Sequence, residues 1–138
     1  MDPIVRSKLR AILKAPYAGT GASEESLRSL MAELEHRLPD EYLDFMRQTN
    51  GYTGEVGPSG FVCIWPVDDV VPTNKANNYR EWIPGLVLFG SNESGDFYAF
   101  DVRQDPTTVV SVPAIVDLKY VKEISPSFVG FLECLAGA

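Results

Sequence analysis

The sequence predicts an α+β domain: helices around a central, mainly antiparallel sheet. Three observations lead to this. Residues 3–51 carry helical periodicity, residues 61–121 break into short β-rich runs separated by tight turns, and residues 125–135 read as one closing helix. Short turns imply hairpins and hence antiparallel pairing, and helices segregated from strands mark α+β rather than alternating α/β. The 138 residues, 45% of them hydrophobic, fit one domain with its own core. Residues 1–22 read as a leading helix and connection, and residues 23–138 as the core of the domain.

The elements follow in order. Pro3 suits a first helical position, and Val5, Leu9, Ile12 and Leu13 share a face. Residues 15–21 form a Gly-, Pro- and Ala-containing break. Ser23 offers an N-cap, with Glu24 and Glu25 in the dipole-favoured first turn. Leu27, Leu30, Met31 and Leu34 then give a second helix expected to end near Leu38. Pro39 starts a third, with Tyr42, Phe45 and Met46 as its apolar face. Asn50 and Gly51 stop it, Gly51 standing where a left-handed C-cap is needed.

Gly54, Gly57, Pro58 and Gly60 punctuate a loop or loose hairpin. Residues 61–65 are β-rich, Pro66 ends that run, and residues 67–71 read as one helical turn. Residues 72–82 read as a polar, Asn-rich loop. Strands are expected at 86–89, 96–102, 108–112 and 116–121, with turns at 90–95 and at Asp105-Pro106. Ser125 would cap the last helix with Pro126 in its first turn, and Phe128, Phe131, Leu132 and Leu135 would form its core face.

Little of this is chemistry-bearing. The net charge of -7 repels phosphate backbones and anionic lipid, so neither nucleic acid nor membrane is an expected partner. Cys63 and Cys134 sit in apolar stretches and read as buried free thiols of a reducing compartment. With no apolar run of signal-peptide or membrane-spanning length, the expected location is the cytoplasm. His36 is the only histidine and has no Cys or His at ligand spacing, so no metal site is expected. Neither cysteine has a sequence-local basic partner to activate it. Asp96 and Asp101 stand at an odd spacing, which sends them to opposite faces of a strand. Gly51, Gly54, Gly57 and Gly60 precede a strand rather than a helix, unlike a phosphate-binding loop. No catalytic residue, cofactor or metal is expected, and the chain does not read as an enzyme.

Aromatic and acidic residues in loops point instead to a protein partner. Trp65, Asp68, Asp69, Tyr79, Trp82 and Glu93 lie at strand ends and in loops. Exposed Trp and Tyr anchor protein interfaces, and acids beside them suit a basic partner. The alternative is that Tyr79 and Trp82 fold down over the sheet. The pattern leaves the oligomeric state between monomer and weak dimer.

Three segments carry a family resemblance. Leu38-Pro39-Asp40-Glu41-Tyr42-Leu43-Asp44-Phe45-Met46 running into Asn50-Gly51 resembles the helix signature of the SUKH superfamily. That group includes the fungal Smi/Knr regulator of cell-wall synthesis and many bacterial toxin-immunity proteins. Phe89-Gly90 with Glu93-Ser94-Gly95-Asp96-Phe97-Tyr98-Ala99-Phe100-Asp101 resembles its central hairpin, and Ser127-Phe128 with Phe131-Leu132 its closing helix. The segments follow the family's order over residues 24–136, and Tyr52 stands where the pattern has a second glycine. The resemblance implies an α+β fold and a non-enzymatic binding role. It implies that Pro39 starts a helix, Gly51 ends one, Gly90 and Gly95 shape a turn, and Phe128 and Phe131 pack. Length suggests a stand-alone domain of the immunity type, which would bind and block a basic nuclease or deaminase toxin. The other reading is a regulatory or scaffolding module for a host protein or small ligand, as in the fungal relatives.

Overall fold

The computed structural model describes residues 3–13 and 20–137. Helices α1 (Pro3–Ile12), α2 (Glu24–Leu34) and α3 (Asp40–Thr49) precede the hairpin of β1 (Tyr52–Val56) and β2 (Gly60–Ile64). Helix α4 (Val67–Ala76) and the single turn α5 (Tyr79–Trp82) follow. Strands β3 (Leu86–Ser91), β4 (Asp96–Asp101), β5 (Thr108–Pro113) and β6 (Lys122–Ser125) lead to α6 (Phe128–Leu135). The described strands make one antiparallel sheet of six in sequence order. The architecture is the α+β arrangement expected from the sequence.

The core is an aromatic cluster between the sheet and two helices. Phe89 and Phe100 stack at 4.3 Å on adjacent strands. Phe128 of α6 and Tyr42 of α3 meet edge-on at 5.5 Å, and Phe131 reaches Tyr98 at 4.7 Å. Leu132 is fully buried beside them. Glu41 ties the two helices together: its carboxylate accepts the Val129 N–H at 3.1 Å, filling a donor that α6 leaves open at its first turn.

Tyr42 is wholly buried, yet its hydroxyl has no hydrogen-bond partner among the described residues. Burial pushes its phenol above the ordinary value. Tyr42→Phe removes the unpaired hydroxyl and keeps the ring. It is expected to hold stability or raise it by about 1 kcal/mol, read as the denaturant midpoint. A clear loss would mean that the hydroxyl bonds a buried water.

Several boundaries differ from expectation, each for a local reason. Helix α2 stops at Leu34 rather than near Leu38; Glu35 turns left-handed at φ 61° and donates its N–H to Met31. Residues 35–37 are exposed, so nothing apolar rewards another turn, and Leu38 reaches the core from extended chain, as a residue before proline prefers. Asn50, not Gly51, takes the left-handed cap of α3 at φ 48°. Its side-chain oxygen also accepts the Val67 N–H at 2.9 Å, so one residue ends α3 and starts α4. Ser127, not Ser125, caps α6, its hydroxyl accepting the Gly130 N–H at 3.0 Å. Ser125 instead ends β6, and its hydroxyl accepts from Ser127. The strand expected at 116–121 is a 3-10 turn, opened by Asp117 accepting the Lys119 N–H at 2.9 Å, with β6 beginning only at Lys122.

Of the face expected on α1, Leu9 and Leu13 are buried and Ile12 is half-buried. The Val5 side chain and residues 15–19 of the expected break lie outside the described residues.

The largest correction concerns residues 67–82. The single turn expected at 67–71 is a helix of ten residues, and the loop expected at 72–82 is its second half plus α5. Val67, Val70, Val71 and Asn74 form its buried stripe. Asn74 is 0% exposed, and its amide pairs with the β3 backbone. Its Nδ2 donates to the Leu88 carbonyl at 2.9 Å, and its Oδ1 accepts the Leu88 N–H at 2.8 Å. Strand β2 pairs with β3 only at Ser91 and Gly90, so Asn74 supplies the hydrogen bonds that a longer β2 would have made.

Candidate functional site

Two surfaces meet at the first turn of α4. The first lies where β2 ends. Val62 and Ile64 point into the core, so Phe61 and Cys63 point to the opposite face, Phe61 exposed and Cys63 half-buried. Trp65 continues the strand direction; its N–H donates to the Phe89 carbonyl at 3.1 Å. Its ring stands edge-on to Phe97 of β4 at 5.7 Å, and both rings are partly open to solvent.

Asp69 and Glu93 lie near Cys63, two residues before Trp65 in the chain. Asp69 is exposed in the first turn of α4, its N–H bonded to the Pro66 carbonyl. Glu93 is held left-handed at φ 58° in the turn between β3 and β4. Asn92 fixes that turn, its side-chain oxygen accepting the N–H groups of Ser94 at 2.8 Å and Asp96 at 3.0 Å. Both carboxylates act on Cys63 through their charge. Burial first, then the negative charges of Glu93 and Asp69, push its thiol above the ordinary range against the lowering effect of the hydroxyl of Thr53. That is the opposite of nucleophile activation. His36, exposed after α2, is not among the groups acting on this thiol.

The second surface is the groove between α2 and α4, of about 600 Å³, onto which Asp68 faces. Asp68 and Asp69 are adjacent in the chain, so α4 presents one carboxylate to each surface.

The sequence-predicted residues therefore separate. Trp65, Asp69 and Glu93 gather at the end of β2, and Asp68 joins the neighbouring groove. Tyr79 does not stand exposed in a loop: it is buried under α4, its hydroxyl accepting from Arg80 Nε at 3.1 Å. Arg80 in turn donates to the Glu33 carbonyl of α2 at 3.0 Å. Trp82 is 56% exposed at the end of α5. Phe97 and Phe61 were not singled out from sequence. The alternation of residues 96–101 was the available signal for Phe97, but its meeting with Trp65 depends on the order β2-β3-β4.

Several other titratable groups do structural work. Asp101 is buried and Asp96 exposed, as their odd spacing implied. Asp101 accepts from the backbone N–H, Nε and Nη2 of Arg103, and that guanidinium holds its carboxyl below the ordinary range. Arg47 bridges Glu24 of α2 and Asp44 of α3. Among the described residues no group of three or more His, Cys, Asp or Glu side chains is placed to hold a metal ion. Both cysteines are free, and Cys134 is exposed rather than buried, its position in α6 facing away from the core stripe of Phe128, Phe131 and Leu132. No helix among the described residues is long and apolar enough to cross a membrane.

No curated protein matches the chain. A family model does, over residues 21–134, and its match takes in α2 through nearly all of α6, with the Asn50 junction, the β3–β4 hairpin and the packed aromatics. Members of that family act as immunity or regulatory proteins and are in general not catalysts. The chain belongs to the SMI1 / KNR4 family (SUKH-1).

Proposed function

We propose that the chain is a non-enzymatic, protein-binding domain of the immunity type, which neutralises a cognate toxin of nuclease or deaminase class by direct contact. The observation that carries this is the pair of half-open rings, Trp65 and Phe97, at the end of β2, where the charges of Asp69 and Glu93 also act on Cys63. Aromatic rings with a desolvated side anchor interfaces, and flanking acids select a basic partner and speed its approach. The net charge of -7 adds long-range attraction for such a partner. Blocking a basic enzyme's substrate channel needs no chemistry from the inhibitor.

The test is a pull-down from the native host at moderate salt, with neighbouring gene products co-expressed and read by mass spectrometry. A basic nuclease- or deaminase-like polypeptide is expected at near-stoichiometric yield. Trp65→Ala is expected to weaken its capture by about 2 kcal/mol, or about 30-fold, without unfolding the chain. Glu93→Lys is expected to slow association and flatten its salt dependence. Recovery of housekeeping proteins alone would overturn the toxin reading and favour a regulatory module for a host protein.

A further inference from the structure

The groove between α2 and α4 has the make-up of a second docking element. Serine is small, and Ser26 and Ser29 on α2 leave the space open. Leu30, Val67 and Val71 form an apolar floor beneath it. Glu25, Glu33 and Asp68 stand along the walls, all exposed, against Lys75 as the one cation among the described lining residues. No ion pair among the described residues engages any of these three carboxylates, whereas Glu24, Asp40, Asp44 and Asp101 each hold an arginine. Pro72, having no N–H, cannot bond the Asp68 carbonyl one turn back.

We infer that this groove receives a basic, apolar-anchored segment of a partner protein, one hydrophobic side chain seated on Leu30, Val67 and Val71 between lysines or arginines paired with Glu25, Glu33 and Asp68. The three carboxylates on the walls leave the groove net negative beside Lys75 alone, which calls for donors of positive charge. The floor calls for an apolar side chain, since burying a bare cation against valine and leucine is costly. A second copy of this acidic chain is a poor occupant, because its carboxylates would face these. The inference rests on the reading of the chain as a protein-binding domain. It extends the contact surface from Asp69 across the first turn of α4 to Asp68, so one partner can engage both.

The test uses the full chain and a blocked peptide of one leucine flanked on each side by two arginines, followed by amide chemical shifts. Saturable shifts confined to α2 and α4 are expected, weakening as salt rises. The triple variant Glu25→Gln, Glu33→Gln, Asp68→Asn changes only exposed side chains and is expected to bind the peptide at least about ten-fold more weakly. A peptide with serine for leucine is expected to bind more weakly too. Shifts centred elsewhere, undiminished binding by the triple variant, or an equal response to a glutamate-flanked peptide would each overturn the inference. If the groove fails this test while a basic toxin is still captured through Trp65 and Glu93, only the groove assignment falls. If the groove binds the peptide while the host yields no toxin, only the toxin reading falls.

Discussion

Asn74→Leu is expected to destabilise the chain by about 3 kcal/mol, because it leaves the Leu88 N–H and C=O buried without partners, each at about 1–3 kcal/mol. Leucine keeps the branched outline of asparagine but is larger, so no cavity forms and the loss reports polar satisfaction together with tighter packing. Both groups lie on the side of β3 that β2 does not reach. Asn74→Asp separates the two bonds. A carboxylate can still accept from Leu88 N–H but faces the Leu88 and Val70 carbonyls where Nδ2 had donated. Only the protonated acid restores that donor, so the folded state raises this carboxyl's pKa above its unfolded value. A raised acid binds more protons folded than unfolded, so the variant should gain stability as pH falls from neutrality toward about 4, the unfolded carboxylate value. The wild type lacks this gain at position 74. Denaturant midpoints at pH 7 and pH 5 check it: an Asp variant whose deficit is equal at both would show that Nδ2 donation to Leu88 contributes nothing.

Asn74 also shows what hid from the sequence. Positions 67, 70, 71 and 74 have helical spacing, but the fourth is polar and Pro72 interrupts the run, so the stripe reads as a turn followed by a loop. A buried amide that imitates a strand edge looks, locally, like a loop residue. Helix α3 was legible because local chemistry marks both its ends: Pro39 with Asp40 and Glu41 at one, Asn50-Gly51 at the other. The assignment of the cap to Asn50 was not legible, because its second role, holding Val67 N–H, joins residues far apart in the chain. The candidate site divides the same way. Trp65, Asp69 and Glu93 were visible as residue types, but their convergence depends on strand register, and Tyr79 was lost to the core once α4 lengthened over it.

Register is also why Gly90→Ala should be among the most damaging single changes in the sheet. The glycine does not form a turn: it lies inside β3, opposite Ile64 on one side and Tyr98 on the other. A Cβ there would stand 2.4 Å from the Cys63 carbonyl oxygen and 3.3 Å from the Ile64 Cα, backbone atoms that cannot rotate away. The strands must part, at an expected cost of about 3 kcal/mol and a fall in Tm of about 10 °C. Gly95 is the control. It has a positive φ of 116° and nothing within 4 Å of a built Cβ, so Gly95→Ala meets only the backbone penalty, about 1 kcal/mol. Thermal melts of the two variants test the distinction, and equal losses would refute the steric account. The consequence for binding follows from position. Pairing at Cys63–Ser91 and Ile64–Gly90 joins the strand that presents Trp65 to the strand that leads into the Glu93 turn. A Gly90→Ala chain kept folded at low temperature should therefore still lose capture of a partner that Gly95→Ala retains, since the two halves of the aromatic and acidic surface no longer meet.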